Sequence, residues 1–428
     1  MRSLNITGSS FEFYIISINW SEKCMNSNQN SSISSYRWVI LGLAWFSFFV
    51  IAMSWYVMPT LEHKLIDIYN LTPTQYSTAL TIPFLIAGLL SLVGGLLADN
   101  IGIKKTAALG TFLAGVGIML RVNTQGFISL MFAMSIVGVG MGLIMPNLPK
   151  LVSVWFPPEE TGLATGIYNT GLMGGLSTGL VIAPYLPGWK SGNYILGGII
   201  IFSALMFYLF VKDSPPGKEL PPITILEGVK TAVKSKSSWL AALAVFTALS
   251  GMVSIQGALP GGLNKIYGIK MSTGGQITSL ITYLGLVGSL TLPYFANKWK
   301  KRKLFIILLP ISFSLIMYFS WLFADITFVI WFGTALAGYL AGGALPILME
   351  VPTFLPRIES DPVQEQHVGG ASGMLTSLMN LGGFFGLSFI VMPIIIRFGY
   401  SAGFMAAGLL FAIQALFGAK IVFPDTQN

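Results

Sequence analysis

Charge is scarce in this chain. Of 428 residues, 9% are Asp, Glu, Lys or Arg, where a soluble domain carries about 25%. A shortfall of that size leaves too little polar surface for a fold bathed in water. Cysteine is limited to Cys24, which excludes an intramolecular disulfide. The two histidines, His63 and His367, form no His-Glu-x-x-His, and no paired carboxylates lie within an apolar run. No Gly-x-x-x-x-Gly-Lys-Ser/Thr loop occurs, so ATP-driven transport by this chain alone is not expected. The net charge of +8 has no basic soluble domain to sit on, which argues against a nucleic-acid partner. No cofactor, metal site or enzymatic activity is expected.

What the chain has instead is apolar length. Hydrophobic residues make up 54% and aromatics 13%. Twelve runs reach the ~20 residues that cross a bilayer, the first at 37–61. Runs this long satisfy their backbone groups in lipid only as helices. The expected fold is all-α integral membrane, with twelve transmembrane helices in two pseudo-symmetric six-helix bundles. Residues 1–36 are polar, rich in Ser and Asn, and read as a disordered cytoplasmic segment. The bundles are expected at 37–212 and 239–422, with a linker at 213–238 and a tail at 423–428. Pro215-Pro216 and Pro221-Pro222 forbid a continuous helix through the linker. Ile225, Leu226, Val229 and Val233 then fit either a short helix on the membrane surface or an irregular connection. With both termini in the cytoplasm, 18 of the 24 Lys and Arg residues fall in inner segments and 6 in outer ones. That bias predicts a cell-membrane protein with cytoplasmic ends.

The halves repeat. Between the second and third runs lies Gly94-Gly95-Leu96-Leu97-Ala98-Asp99-Asn100-Ile101-Gly102-Ile103-Lys104-Lys105. A weaker copy, Leu292 to Lys303, places Asn297 198 residues after Asp99. Gly138–Pro146 matches Gly338–Pro346 at an offset of 200, and Ala164-Thr165-Gly166 matches Ala371-Ser372-Gly373 at 207. Gly175 and Gly179 then fall on Gly382 and Gly386. Tandem halves of this kind are a transporter architecture.

These residues resemble the major facilitator superfamily from about residue 36 onward. Its signature, Gly-x-x-x-Asp-Arg-x-Gly-Arg-Lys, is matched by Gly95, Asp99, Gly102 and Lys104, while Asn100 and Ile103 replace the usual arginines. Arg121, Gly138–Pro149 and the glycine-rich fifth span are most similar to the cyanate-permease and nitrate/nitrite-porter branches. The resemblance implies alternating access. It also implies a gating motif of Gly95, Asp99, Gly102, Lys104 and Lys105, in which Asp99 contacts the other half. The alternative is that Asp99 only terminates a helix. Nitrate porters carry arginines in spans two and eight, which this chain lacks.

Within the spans, ionisable residues fall only near the ends: Arg37, Asp99, Arg121, Glu160 and Glu350. Intramembrane charges mark ion pathways, so coupling through a buried carboxylate is not expected. Arg121 is expected to snorkel to the headgroups, with attraction of an anion as the alternative. The deep polar groups are uncharged. Trp45, Tyr168, Asn169, Gln256, Tyr283, Tyr339, Thr376 and Asn380 are the expected substrate-binding residues, with helix–helix hydrogen bonding as the alternative for each. The glycines of spans four and five fit either static packing or a rocking interface. The expected function is secondary active or facilitated transport, by a rocker-switch, of a small polar solute or small monovalent anion. The expected partners are that solute and the lipid bilayer, with the protein functional as a monomer. A solute sensor without flux and an intramembrane enzyme are the alternatives.

Overall fold

A computed structural model describes residues 35–215, 225–358, 361–364 and 367–421. The expectations for the segment before Ser35 and for the tail after Ile421 concern residues outside these. The first half runs α1 (Tyr36–Trp55), α2 (Glu62–Tyr69), α3 (Pro73–Ile101), α4 (Ile103–Leu120), α5 (Phe127–Ile144), α6 (Asn147–Trp155), α7 (Pro158–Ile182) and α8 (Trp189–Phe210). A linker helix α9 (Ile225–Lys234) follows. The second half runs α10 (Lys236–Tyr267), α11 (Met271–Lys298), α12 (Arg302–Leu322), α13 (Thr327–Met349), α14 (Val351–Phe354), α15 (Val368–Phe385), α16 (Met392–Phe398) and α17 (Tyr400–Gly418). Several short helices continue a neighbour, so among the described residues twelve spanning units result, six in each half. By length and composition, eleven of these helices among the described residues could cross a membrane. The twelfth is α7, whose apolar content is diluted by glycine and threonine.

Local sequence explains the helix ends. Thr72 caps α3 in a reciprocal box with Gln75, and Pro73 occupies the first turn, where no N–H is needed. Gly102 separates α3 from α4 at φ +96°, a backbone conformation that L side chains resist. In the linker the helix forms: Gly228 of α9 lies directly against Gly370 at the start of α15.

The glycine repeat packs each half internally. On α7, Gly171, Gly175 and Gly179 lie under the backbone carbonyls of Trp45, Phe49 and Met53 in α1. On the repeat partner α15, Gly382 and the following Gly386 do the same against Phe246 and Ser250 of α10. Gly138 and Gly142 of α5 meet α3, while Gly140 meets Gly110 of α4. Of the two readings of these glycines, packing within a half is the one realised. The halves meet chiefly along two helix pairs, α3 with α15 and α7 with α11, and at the turn Pro59–Leu61 against α10 and α11.

Candidate functional site

The seam between the halves carries the polar residues. One end of the molecule holds the linker, Asp99 and Lys150; the opposite, far end holds Glu62, Arg121 and Trp189. Toward the far end the halves are joined by side chains. The Tyr56 hydroxyl donates to Gln256 Oε1 at 3.3 Å, and Gln256 Nε2 donates to Thr282 at 2.9 Å. Ser177 donates to the Ser279 carbonyl at 3.2 Å, and the hydroxyls of Thr178 and Tyr283 lie 3.0 Å apart. Thr81 and Ser388 are hydrogen-bonded at 2.7 Å. Gly275 of α11 leaves room for Thr60 and the Leu180 carbonyl of the first half.

Near the middle of the seam, Asn380 is 1% exposed. Its Nδ2 donates to the Thr376 carbonyl at 2.9 Å, while its Oδ1 is buried without a partner. Its Cβ approaches Gly88 of α3, where any side chain would crowd it. On the first half, Trp45 stacks on Phe49 at 5.0 Å and donates to Thr170 at 2.9 Å.

Three expected site residues therefore sit at the junction: Gln256, Tyr283 and Asn380. Thr376 is half-buried one turn before Asn380, and Asn169 is half-buried beside Thr170. Tyr168 is buried beside Phe48 within the first half. Tyr339 accepts a hydrogen bond from Thr291 within the second half.

At the linker end, Asp99 is paired within its own half, to Lys150 Nζ at 2.7 Å. Lys150 also donates to the buried Gly95 carbonyl at 3.0 Å. The acid that meets a helix N-terminus is Asp213, which accepts from the Lys104 backbone N–H at 2.7 Å. A negative charge is favoured there, and Gly102 clears the space that Asp213 fills. The Lys104 ammonium lies over the Tyr208 ring at 4.9 Å, and Lys105 is exposed. In the second half Glu350, 200 residues after Lys150, pairs with Arg302 at 3.8 Å, and Arg302 also donates to Asn297. Among the described residues, no ion pair joins the two halves.

Two ionisable residues near span ends are buried, against the expected snorkelling of Arg121 and the expected lack of a buried carboxylate. Arg121 is 0% exposed and does not snorkel. It donates to Asn193 and, at 2.6 Å, to the Ser54 carbonyl, and it lies 4.9 Å over the Trp189 ring. The Tyr69 hydroxyl donates to its carbonyl at 2.7 Å and accepts from the Trp189 indole at 2.7 Å. Glu62 is 3% exposed, and its Oε2 has no hydrogen-bond partner. It stands against Gly261 of α10, where an added methyl would collide with the carboxyl group. Sequence reading misses Glu62 because the first apolar run ends at residue 61. A signal was present: Glu62, Leu65 and Tyr69 share one helical face, and all three are buried. Asp213 and Asn193 offer no comparable signal.

A twelve-helix membrane protein in two halves with a polar seam has the architecture of a transporter. Residues 43–387 match the model of the Major Facilitator Superfamily, and the chain belongs to that family of transporters. It is 26% identical over 242 residues to the nitrate/nitrite transporter NrtP of Picosynechococcus sp., covering 47% of this chain and 43% of that protein. The match thus spans less than half the length of that relative. To the cyanate transport protein CynX of Escherichia coli it is 25% identical, covering 63% and 68%. To the hexuronate transporter of Bacillus subtilis it is 23% identical, covering 78% and 82%. The fold resembles the crystal structure of a bacterial homolog to the human lysosomal transporter Spinster, inward-facing and occupied. That comparison has a TM-score of 0.73 at 15% identity and covers 92% of this chain and 99% of that one.

Proposed function

We propose that the protein carries a small polar solute, most simply a small monovalent anion, across the cell membrane by alternating access, with both termini in the cytoplasm. The observation that carries this reading is the asymmetry of the seam. The halves are latched at the far end through Tyr56–Gln256, Ser177–Ser279 and Thr178–Tyr283. At the linker end, Asp99 and Lys150 are turned toward each other and not toward the second half. Such an arrangement is one of the two states that a rocker-switch visits. In the other state Asp99 is freed to hold the linker end shut. Relatives named for nitrate, nitrite and cyanate support an anion as cargo.

The solute site of this reading is made by Trp45 and Asn169 of the first half with Gln256, Tyr283, Thr376 and Asn380 of the second. The unpartnered Asn380 Oδ1 leaves a buried hydrogen-bonding group for the cargo to satisfy. The test is uptake of radiolabelled cyanate, nitrate and neutral polar solutes into proteoliposomes, with and without a pH gradient. The expected result is saturable uptake of one small anion, reduced at least about tenfold in Asn380→Ala, the effect of losing 1.4 kcal/mol of binding. Absence of flux for the whole panel overturns the reading.

A further inference from the structure

We propose that Glu62 is a proton-binding site that controls closure of the far end: the halves close there once its carboxyl carries a proton. The inference rests on the alternating-access reading and adds a ligand to it.

Three observations carry it. First, Glu62 is buried, and its Oε2 has no hydrogen-bond partner. Burying an ionised carboxylate without a partner is very costly, whereas the protonated acid loses far less on leaving water. Second, the carboxyl stands across the seam. Glu62 belongs to α2 of the first half, and the surface it presses on is the backbone of Gly261 in α10 of the second. Its burial therefore exists only while the far end is closed. Third, the Tyr56–Gln256 and Thr60–Gly275 contacts flank it on the same seam, so separating the halves there exposes all three together.

The charged and titratable groups facing Glu62 come from three elements, α3, α10 and α17. Tyr76 approaches from the first half, with Arg121 and Tyr56 beside it. Lys265 and Tyr400 approach from the second. Arg121 is engaged by Asn193 and the Ser54 carbonyl. Lys265 lies one turn beyond Gly261 on α10, is exposed, and makes no ion pair with Glu62. In the closed arrangement Lys265 offsets only part of the cost of burying the charged carboxylate. Once the far end opens, water favours the carboxylate. Opening thus releases a proton and closing takes one up, so falling pH favours the closed far end.

The experiment reads opening directly. Spin labels are placed at Tyr185→Cys in the first half and Lys270→Cys in the second, both exposed at the far end, with Cys24→Ser. Distance distributions are measured by double electron–electron resonance in lipid from pH 5 to pH 8. With Glu62 present, the ratio of short to long distances should rise as pH falls, by up to about tenfold per unit for one linked proton. Glu62→Gln should stay short at every pH, while Glu62→Asp should keep the pH response. Gly261→Ala should favour the long distance throughout, because its methyl excludes the carboxyl. A pH-independent distribution in the parent, a retained response in Glu62→Gln, or an unchanged distribution in Gly261→Ala overturns the proposal. Failed uptake with a pH-responsive distance removes the transport reading alone. Uptake with a pH-independent distance removes the proton site alone.

Discussion

Arg121 shows how a terminal position in sequence becomes an interior one. It opens a 3₁₀ turn after α4, and its guanidinium meets the Ser54 carbonyl and Asn193. A cation this deep persists because each contact replaces hydration, and Trp189 supplies a ring face. Removing it leaves the Asn193 and Ser54 oxygens short of a donor. Arg121→Ala is expected to destabilise the protein by on the order of 3 kcal/mol, seen as a lowered thermal midpoint in detergent. Arg121→Lys should recover only part of this, because an ammonium cannot reproduce the planar fork. A midpoint unchanged in both variants would show that the cage contributes nothing to stability.

Between helices, glycine does the positioning. On α7 the spacing Gly171, Gly175, Gly179 keeps one stripe free of side chains, and α1 lies in it backbone to backbone. Gly166, on the same helix, has only the tip of Leu290 at 4.0 Å. Gly175→Val should therefore abolish the monodisperse peak in size-exclusion chromatography, while Gly166→Val should preserve it. Equal behaviour of the two variants would mean that the stripe is not what seats α7. The stripe was legible in the sequence as a repeat, since Gly175 and Gly179 recur as Gly382 and Gly386. Which helix each stripe receives was not, because spacing along one helix says nothing about its neighbour.

For the molecule as a whole, the balance between the two ends of the seam is what matters. The Asp99–Lys150 pair is half-exposed, so it contributes no more than about 1 kcal/mol to stability. A shift of that size between two arrangements of the halves still changes their ratio about fivefold. Asp99→Asn is thus expected to leave the thermal midpoint nearly unchanged and to slow uptake about fivefold. A wild-type rate in that variant would remove Asp99 from gating. A lowered midpoint instead would make it a stabilising residue only.

Chain-level regularities reached as far as helices, halves and repeat. Apolar length, the scarcity of charge and the offsets of 198, 200 and 207 are properties of residue order, and lipid leaves the backbone few alternatives. Gln256, Tyr283 and Asn380 could be picked out in the same way, as polar groups inside apolar runs. The identities of partners could not. Asp213 reaches the start of α4 across 109 residues, Lys150 reaches Asp99 across 51, and Glu62 meets Gly261 across the two halves. Such contacts depend on how rigid helices stack in three dimensions. A shift of one helix turn would hand each charge a different neighbour, and residue order alone does not set that register.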